Sequence, residues 1–241
     1  MNDKSIQRQR VLNMAIATVG LVAVAPLMAA IAVIIKFTSK GPIIYKQTRV
    51  GINRRSVYSQ PRSNLERRTT SRFPNESIER RNGWYVGAVH RRAKNIGGIP
   101  FTMYKFRTMG VSEKNMPEQW AKQNDARVTL VGRILRKYRL DELPQLFNVL
   151  LGDMNIVGPR PEQPIIFSSL RDNIFGYDIR QRSLPGITGL AQISQHYDTC
   201  IEDVERKIIY DIKYITEPTV RKDLKIMLKT IPAVIFNKGG W

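Results

Sequence analysis

The longest stretch without a charged side chain lies near the start of the chain, over residues 11–35. A helix of that length can cross the roughly 30 Å hydrocarbon core of a bilayer. Pro26 falls near its middle, where proline removes a backbone hydrogen bond and distorts a helix. Basic residues flank both ends, a distribution that favours both ends on the cytoplasmic side. The pattern therefore fits a re-entrant helix that breaks at Pro26 and returns, and it fits a kinked single span equally well.

Beyond this segment the apolar pattern weakens. Residues 41–51 are typical of a short extended segment. Residues 52–95 contain repeated Arg pairs among Ser, Asn and Thr, a composition that predicts a long solvated insert rather than core. Its basic side chains could contact anionic lipid or nucleic acid, or remain in solvent, and the sequence leaves these alternatives open. We divide the chain into an N-terminal membrane helix, 1–40, and a single domain, 41–241, that contains the insert.

Periodicity returns after the insert and predicts a mixed fold. Residues 101–109 alternate as a strand does, which places Lys105 and Arg107 on one face. Two cations on one strand face can grip a phosphate, although a solvated edge strand has the same pattern. The later predictions are a strand or turn leading into a helix at 126–137, a turn-rich segment at 152–161, a tight turn at 185–189, a helix at 201–216 and a basic amphipathic helix at 224–236. The predicted fold class is α/β and mostly helical, membrane-associated, with interfacial helices that also pack on the core.

The composition of the chain indicates which kinds of partner it can bind. The 241 residues carry a net charge of +19 and a sequence pI of about 10.3, so acidic partners such as anionic lipid, nucleotides, phosphorylated sugars or nucleic acid are expected. Cys200 is the only cysteine, which excludes an intrachain disulfide and fits a reducing compartment. His90 and His196 lack companion ligands, so no zinc site is predicted.

Candidate chemistry centres on Asp141 and Glu142, adjacent carboxylates in a basic neighbourhood. A carboxylate among cations can attack phosphorus as an anionic nucleophile or hold a divalent metal. The structural interpretation makes Asp141 a helix N-cap and Glu142 part of the first turn, and the two interpretations are compatible. The apolar residues that follow then form one buried helical stripe. They are Leu143, Leu146, Phe147, Leu150 and Leu151.

A series of motifs runs along the chain in a fixed order. They are the apolar segment with its central proline, Lys105 to Met109, Asp125 to Thr129, Leu140 to Leu146, Gly152 to Met154, Val157 to Pro161 and Pro185 to Gly189. In this order the chain resembles the bacterial sugar transferases, a family of monotopic polyprenol-phosphate phosphoglycosyl transferases. The resemblance covers nearly everything except the insert, and its Asp-Glu-Leu-Pro and Gly-Pro-Arg-Pro elements are specific in combination.

The resemblance implies an enzyme at the cytoplasmic face of the bacterial inner membrane, with 41–241 as its catalytic domain. It also implies that the N-terminal membrane helix, 1–40, is re-entrant and broken near Pro26. Such enzymes transfer a sugar-1-phosphate from a UDP-sugar to undecaprenyl phosphate, release UMP and begin the assembly of capsule, exopolysaccharide or O-antigen. The family's carboxylate pair falls on Asp141, which would form a covalent phosphosugar ester and hold Mg²⁺, and on Glu142, which would orient or deprotonate the acceptor. The cations that we expect to hold phosphates are Lys105, Arg107, Arg133 and Arg160.

The sequence leaves the oligomeric state, the donor sugar and two rival functions open. Anionic inner-membrane lipid is an expected partner and nucleic acid is not, while the oligomeric state is open between a monomer and a homodimer. Leu190 stands where relatives often have Trp before Ala-Gln, and this departure, with the insert, leaves the donor sugar open. Two rival functions are a membrane-tethered nucleic-acid-binding protein and a non-catalytic scaffold for polysaccharide assembly. Either rival would tolerate loss of Asp141.

Overall fold

The apolar N-terminal run forms one helix, α1 (Asp3–Thr38), in a computed structural model of the chain. The structure describes residues 3–53, 98–110, 125, 127–195 and 201–235. Pro26 lies inside α1, which continues on both sides of it, so the expected break does not divide the helix in two. By length and composition, residues 7–38 are sufficient to cross a membrane.

Two small sheets form from segments distant in sequence. In the first, β1 (Ile44–Val50) pairs antiparallel with β2 (Pro100–Phe106), and Ile44 lies opposite Phe106. In the second, β3 (Asn155–Val157) pairs parallel with β4 (Gly186–Thr188). The first sheet confirms the extended segment predicted at 41–51.

β4 corrects the tight turn predicted at 185–189. That prediction rested on Pro185 and two glycines. Instead, Gly158 N donates a hydrogen bond to Thr188 O (2.9 Å), which holds the segment in the sheet. Gly186 permits this close approach, because a Cβ there would collide with the backbone nitrogen of Gly158. Glycine marks a close backbone contact within a strand here rather than a turn.

The described part of the chain contains six further helices, of which Pro164–Asn173 and Leu190–Ser194 were not predicted. They are α2 (Leu130–Lys137), α3 (Gln145–Leu151), α4 (Pro164–Asn173), α5 (Leu190–Ser194), α6 (Ile201–Thr216) and α7 (Val220–Ile235), with 3₁₀ turns at Leu140–Glu142 and Tyr177–Arg182. The helices predicted within 126–137, 201–216 and 224–236 are confirmed, and the last begins earlier than expected. The fold is mostly helical with little sheet. Most of the predicted insert at 52–95 lies outside the described residues.

The buried side chains of the described residues form three clusters, and α1 contributes to two of them. Ala17 packs in the cluster that contains Met103 of β2. Ile31 and Ile35, on the other side of Pro26, pack in the cluster that contains Phe106. The third cluster joins β1, α4 and α6. The catalytic carboxylates expected at 141 and 142 therefore lie in a body that α1 helps to build.

Polar contacts fasten both ends of α1 to this body. Near its start, Arg10 donates to Val149 O (2.6 Å) and Leu150 O (3.0 Å), which satisfies carbonyls at the end of α3. Just after its end, Ser39 O accepts a hydrogen bond from Arg107 Nη2 (2.7 Å). The two ends of the apolar helix thus contact the same domain.

The stripe predicted for α3 is not buried as a whole. Phe147 and Leu151 are 48% and 67% exposed. The interior face instead includes Asn148, whose side chain accepts a hydrogen bond from Tyr104 N (3.1 Å) and donates one to Thr102 O (2.7 Å). The polar face of α3 therefore packs against β2. Exposed apolar side chains also occur on α1 and α7. An apolar surface of this kind is typical of a membrane or protein contact.

Candidate active site

The two carboxylates lie in the 3₁₀ turn Leu140–Glu142, between α2 and α3. The turn begins after Arg139, whose φ of 56° places it in the left-handed region that non-glycine residues rarely adopt. Asp141 and Glu142 are both buried there. The N-cap interpretation of Asp141 is wrong, since Pro144 occupies the N-cap position of α3 and no side chain caps the helix. The 3₁₀ turn inserted before α3 takes Asp141 out of capping register.

Glu142 is surrounded by cations. Its Oε1 accepts from Lys105 Nζ (2.9 Å) and Arg160 Nη2 (2.6 Å), and Oε2 accepts from Arg160 Nη1 (3.3 Å). Arg139 Nη1 lies 3.8 Å from Oε1. Burial alone would raise the pKa of Glu142, but Arg160 and Lys105 more than offset it and hold that pKa well below its ordinary value. Glu142 therefore remains an anion and fixes the two cations in place.

Asp141 has the opposite environment. Although its side chain is buried, no described residue donates a hydrogen bond to its carboxylate or forms an ion pair with it. Burial and the adjacent charge of Glu142 raise the pKa of Asp141, and the more distant Lys105 and Arg139 offset this only in part. A buried carboxylate with unused lone pairs can act as a nucleophile, a base or a metal ligand.

The predicted phosphate-binding cations lie in three different places. Lys105 and Arg160 meet at Glu142, and burial lowers the pKa of Lys105 despite that carboxylate. Arg107 lies elsewhere: β2 ends at Phe106, and the Arg107 guanidinium reaches Ser39 and Ile35 at the end of α1. Two of its nitrogens, Nε and Nη1, are buried, and no described residue bonds to either of them. Arg133 is exposed on α2, and no described residue forms an ion pair with it.

The loop that carries Arg160 is fixed by hydrogen bonds to its backbone carbonyls. Arg160 O accepts a hydrogen bond from Arg180 Nη2 (2.9 Å). Pro161 O accepts from Arg49 Nη1 (3.1 Å), and Pro159 O accepts from Gly186 N (2.9 Å). Prolines on both sides restrict the chain further. The guanidinium of Arg160 is therefore presented to Glu142 from a fixed loop.

A buried ionic network behind this loop was not predicted from the sequence. Arg180 donates to Asp211 Oδ2 (2.6 Å) and to the Tyr177 hydroxyl (2.7 Å). Lys207 donates to Glu162 Oε1 (2.9 Å), and although burial opposes it, this lysine with Arg180 lowers the pKa of Glu162 to about 2. Lys207 and Asp211 share the helical face of buried apolar residues in α6. Charged residues at apolar helix positions were the available signal.

The site around Asp141 can hold a divalent cation only if a bound substrate and water supply further ligands. No group of three His, Cys, Asp or Glu side chains that could hold a metal occurs among the described residues. Mg²⁺ is usually held by one or two carboxylates together with substrate phosphates, and it keeps several waters. The unpartnered oxygens of Asp141 fit that requirement. Asp141 would hold Mg²⁺ jointly with a bound diphosphate.

The chain is similar to a known protein family and to several of its members. The profile of the family described as "Bacterial sugar transferase" matches residues 4–68 and 81–237. The "UDP-glucose:undecaprenyl-phosphate glucose-1-phosphate transferase" of Klebsiella pneumoniae is 33% identical over 244 residues, which cover 100% of this chain and 43% of that protein. The protein of the same name from Caulobacter vibrioides is 34% identical, with 97% of this chain and 72% of that protein covered.

A relative with a different sugar in its name is nearly as similar. The "UDP-N-acetylgalactosamine-undecaprenyl-phosphate N-acetylgalactosaminephosphotransferase" of Aeromonas hydrophila is 32% identical over 96% of this chain and 44% of that protein. The chain thus spans less than half the length of the Klebsiella and Aeromonas relatives. The names of these relatives agree on the undecaprenyl-phosphate acceptor and differ in the sugar.

Proposed function

This chain belongs to the bacterial sugar transferase family, and on that premise we propose that it transfers a sugar-1-phosphate from a UDP-sugar to undecaprenyl phosphate and releases UMP. One observation carries the proposal. Asp141 is a buried carboxylate without a described partner, next to a Glu142 that is saturated with cations. Such a pair supplies an available anion and the positive charge that a diphosphate substrate requires.

The first half of the reaction forms a covalent intermediate. A carboxylate oxygen of Asp141 attacks the β-phosphorus of the UDP-sugar. As that bond forms, the bond between this phosphorus and the bridging oxygen breaks, and UMP leaves with the oxygen and the electron pair. The sugar phosphate is then joined to Asp141 as an acyl phosphate, a mixed anhydride of the carboxyl and phosphoryl groups. When bound, Mg²⁺ supplies positive charge that neutralises the phosphate oxygens.

The second half returns the enzyme to its starting state. A phosphate oxygen of undecaprenyl phosphate attacks the same phosphorus, and the Asp141 carboxylate leaves. Because its pKa is lowered, Glu142 is a weak base. We therefore assign to Glu142 the role of holding Lys105 and Arg160 against the phosphates rather than that of removing a proton.

The membrane arrangement follows from the lipid acceptor. We propose that the domain lies at the cytoplasmic face of the bacterial inner membrane and that α1 is re-entrant, with both ends on that face. The support is that Arg10 and Ser39, at opposite ends of the apolar helix, both contact the domain. A helix that crossed a roughly 30 Å core would carry one end away from a domain on the other side.

A donor panel tests the proposed reaction. The purified protein is offered UDP-sugars with undecaprenyl phosphate and Mg²⁺, and UMP release is measured. At least one donor should support turnover, and Asp141→Asn should abolish it. Asp172→Asn makes the same change on an exposed carboxylate of α4 and should leave turnover unchanged. Absence of UMP release with every donor, or full activity of Asp141→Asn, would contradict the proposal.

A further inference from the structure

Three polar side chains of one helical segment face β2. Glu142, Gln145 and Asn148 are spaced three residues apart, so they share one side of the segment. Contacts at both ends fix that side against the strand, because Glu142 accepts from Lys105 (2.9 Å) and Asn148 accepts from Tyr104 N (3.1 Å). Gln145 therefore lies against β2 between two anchored neighbours.

Gln145 lacks the side-chain hydrogen bonds that Glu142 and Asn148 make. Glu142 and Asn148 use their side-chain polar atoms in hydrogen bonds. Gln145 is only 1% exposed, yet its Nε2 is buried without a hydrogen-bond partner, and no described residue bonds to its side-chain amide. Buried polar groups in folded proteins are normally satisfied, since an unmade hydrogen bond in the interior is costly. A buried amide that no described residue satisfies is available to donate a hydrogen bond to a bound ligand.

A second polar group that no described residue pairs with precedes Gln145 in the same segment. Asp141 precedes Gln145 by four residues, and its 3₁₀ turn leads through Pro144 into the helix that begins at Gln145. It is also buried and also accepts no hydrogen bond from a described residue. A polar ligand bound between these two groups would give each of them a partner. If Asp141 is the nucleophile, the ligand group next to it is the phosphoryl group under attack.

We propose that Gln145 contacts the substrate, with Nε2 donating a hydrogen bond to a non-bridging oxygen of the phosphoryl group that Asp141 attacks. The proposal rests on the proposed function and adds a catalytic residue to it. No bond to Gln145 forms or breaks during the transfer. A fixed donor directed at oxygens that gain charge in the transition state accelerates such a reaction by on the order of 10²–10³.

Two substitutions test this role. Gln145→Met keeps the length of the side chain and removes the donor, whereas Gln145→Glu keeps the shape and adds a charge that repels phosphate. The measurement is the single-turnover rate at which the protein acquires label from two accepted UDP-sugars that differ in the sugar. Both variants should lose on the order of 10²-fold or more. The loss should be equal for both donors, because the phosphoryl group is common to them.

Thermal unfolding separates this role from a structural one. Gln145→Met should leave the melting temperature unchanged or raise it, because an unsatisfied buried amide disappears. The matched control, Asn148→Ala, should lower it, since Asn148 bonds to the backbone of β2.

Three results would overturn the assignment. They are labelling of Gln145→Met within about threefold of the wild-type rate, well short of the loss expected for a missing donor, a loss confined to one donor sugar, and a melting temperature that falls as far as in Asn148→Ala. Failure of the wild-type protein to acquire label from any donor would instead contradict the proposed function, and the assignment with it.

Discussion

Asp141 and Glu142 share one short turn but differ in what surrounds their carboxylates. Glu142 contacts Lys105 and Arg160 directly, whereas no described residue pairs with Asp141. The pKa of the first is lowered, and that of the second is raised by burial and by its neighbour. The carboxylate with free lone pairs is therefore held at a cost in stability, as is common for reactive groups.

Asp141→Asn should stabilise the protein while it removes activity. A folded pKa above the unfolded value means that the ionised Asp141 destabilises the fold at neutral pH. A neutral side chain of the same size removes that effect, and we expect the melting temperature at pH 7 to rise by roughly 2–4 °C. Thermal unfolding of the two proteins in the same detergent is the measurement. A lower melting temperature for the variant would show that Asp141 is stabilising instead.

Glu142→Gln should have the opposite effect. It leaves Lys105 and Arg160 without their buried counter-charge, at a cost of about 3 kcal/mol at neutral pH. The folded pKa of Glu142 is lowered, so its stabilising effect is complete above the unfolded value of about 4.3 and is lost as the pH falls through the folded value. Denaturant unfolding at pH 7 and pH 3 should therefore show a gap between the two proteins that narrows in acid. A constant gap would contradict this account.

The rate of Asp141 labelling should also depend on pH. Attack on phosphorus requires the ionised carboxylate, and the raised pKa moves its protonation above the value of about 3.9 for an ordinary aspartate. Single-turnover labelling should therefore decline at a higher pH than an exposed aspartate would, while circular dichroism shows an intact fold. A half-maximal point at or below 3.9 would be inconsistent with the environment of Asp141.

At the scale of elements, the loop around Arg160 shows what a sequence can and cannot indicate. Its stiffness was predictable from Pro159 and Pro161. Its direction was not, because it depends on Arg49 and Arg180, which are far away in sequence and reach its carbonyls through the fold. Long-range contacts of this kind leave no local pattern.

Strands, and the direction in which their side chains point, were less predictable than helices, because they also depend on long-range contacts. Helices follow the apolar period of the chain itself, so α6 and α7 were found. β4 depends on pairing with a distant segment, and its glycines alone indicated a turn. Arg107 was placed by strand alternation, but β2 ends one residue before it. The carboxylate pair was identified, while the unsatisfied Gln145 becomes evident only when burial and hydrogen bonds are known.

Arg180→Lys tests the support of this loop. Lysine keeps the charge but cannot donate at once to Asp211, Tyr177 and the carbonyl of Arg160. We expect UMP release to fall by roughly 10–100-fold, because a small displacement of a positioned group has a large kinetic effect. The control is Arg182→Lys in the same 3₁₀ turn, since no described residue bonds to that side chain.

A double variant distinguishes positioning from a general loss of packing. If Arg180 acts through Arg160, adding Arg180→Lys to Arg160→Ala should reduce activity little further. Independent, multiplying losses would show that Arg180 acts in another way.

At the scale of the whole molecule, α1 is long and apolar enough to cross a membrane, and it is also part of the core. Ala17 and Ile35, on either side of Pro26, are buried in the domain. Val19 and Val22 are 70% and 73% exposed, and Phe37 is 85% exposed. One helix thus presents apolar side chains to the surroundings while both of its ends remain fastened to the domain.

Both ends of α1 should therefore be accessible from the cytoplasm only. In a Cys200→Ser background, which removes the single cysteine, Asp3→Cys should not react with a membrane-impermeant thiol reagent added to the periplasm. It should react once the membrane is permeabilised, as Asp178→Cys on the exposed surface of the domain should. Pro26→Leu should increase periplasmic labelling and lower activity, because it favours a through-span. Labelling of Asp3→Cys from the periplasm with Pro26 intact would exclude re-entry.

The most direct test of the whole account is whether sugar phosphate becomes attached to Asp141 before the acceptor is present. The protein is incubated with Mg²⁺ and a UDP-sugar labelled in the sugar, without undecaprenyl phosphate, and then analysed by peptide mass spectrometry. We predict one labelled site, Asp141, stoichiometric release of UMP, and transfer of the label when undecaprenyl phosphate is added. Asp141→Asn should acquire no label. Label on Asp141→Asn, or turnover that requires both substrates to be bound together, would contradict the covalent mechanism.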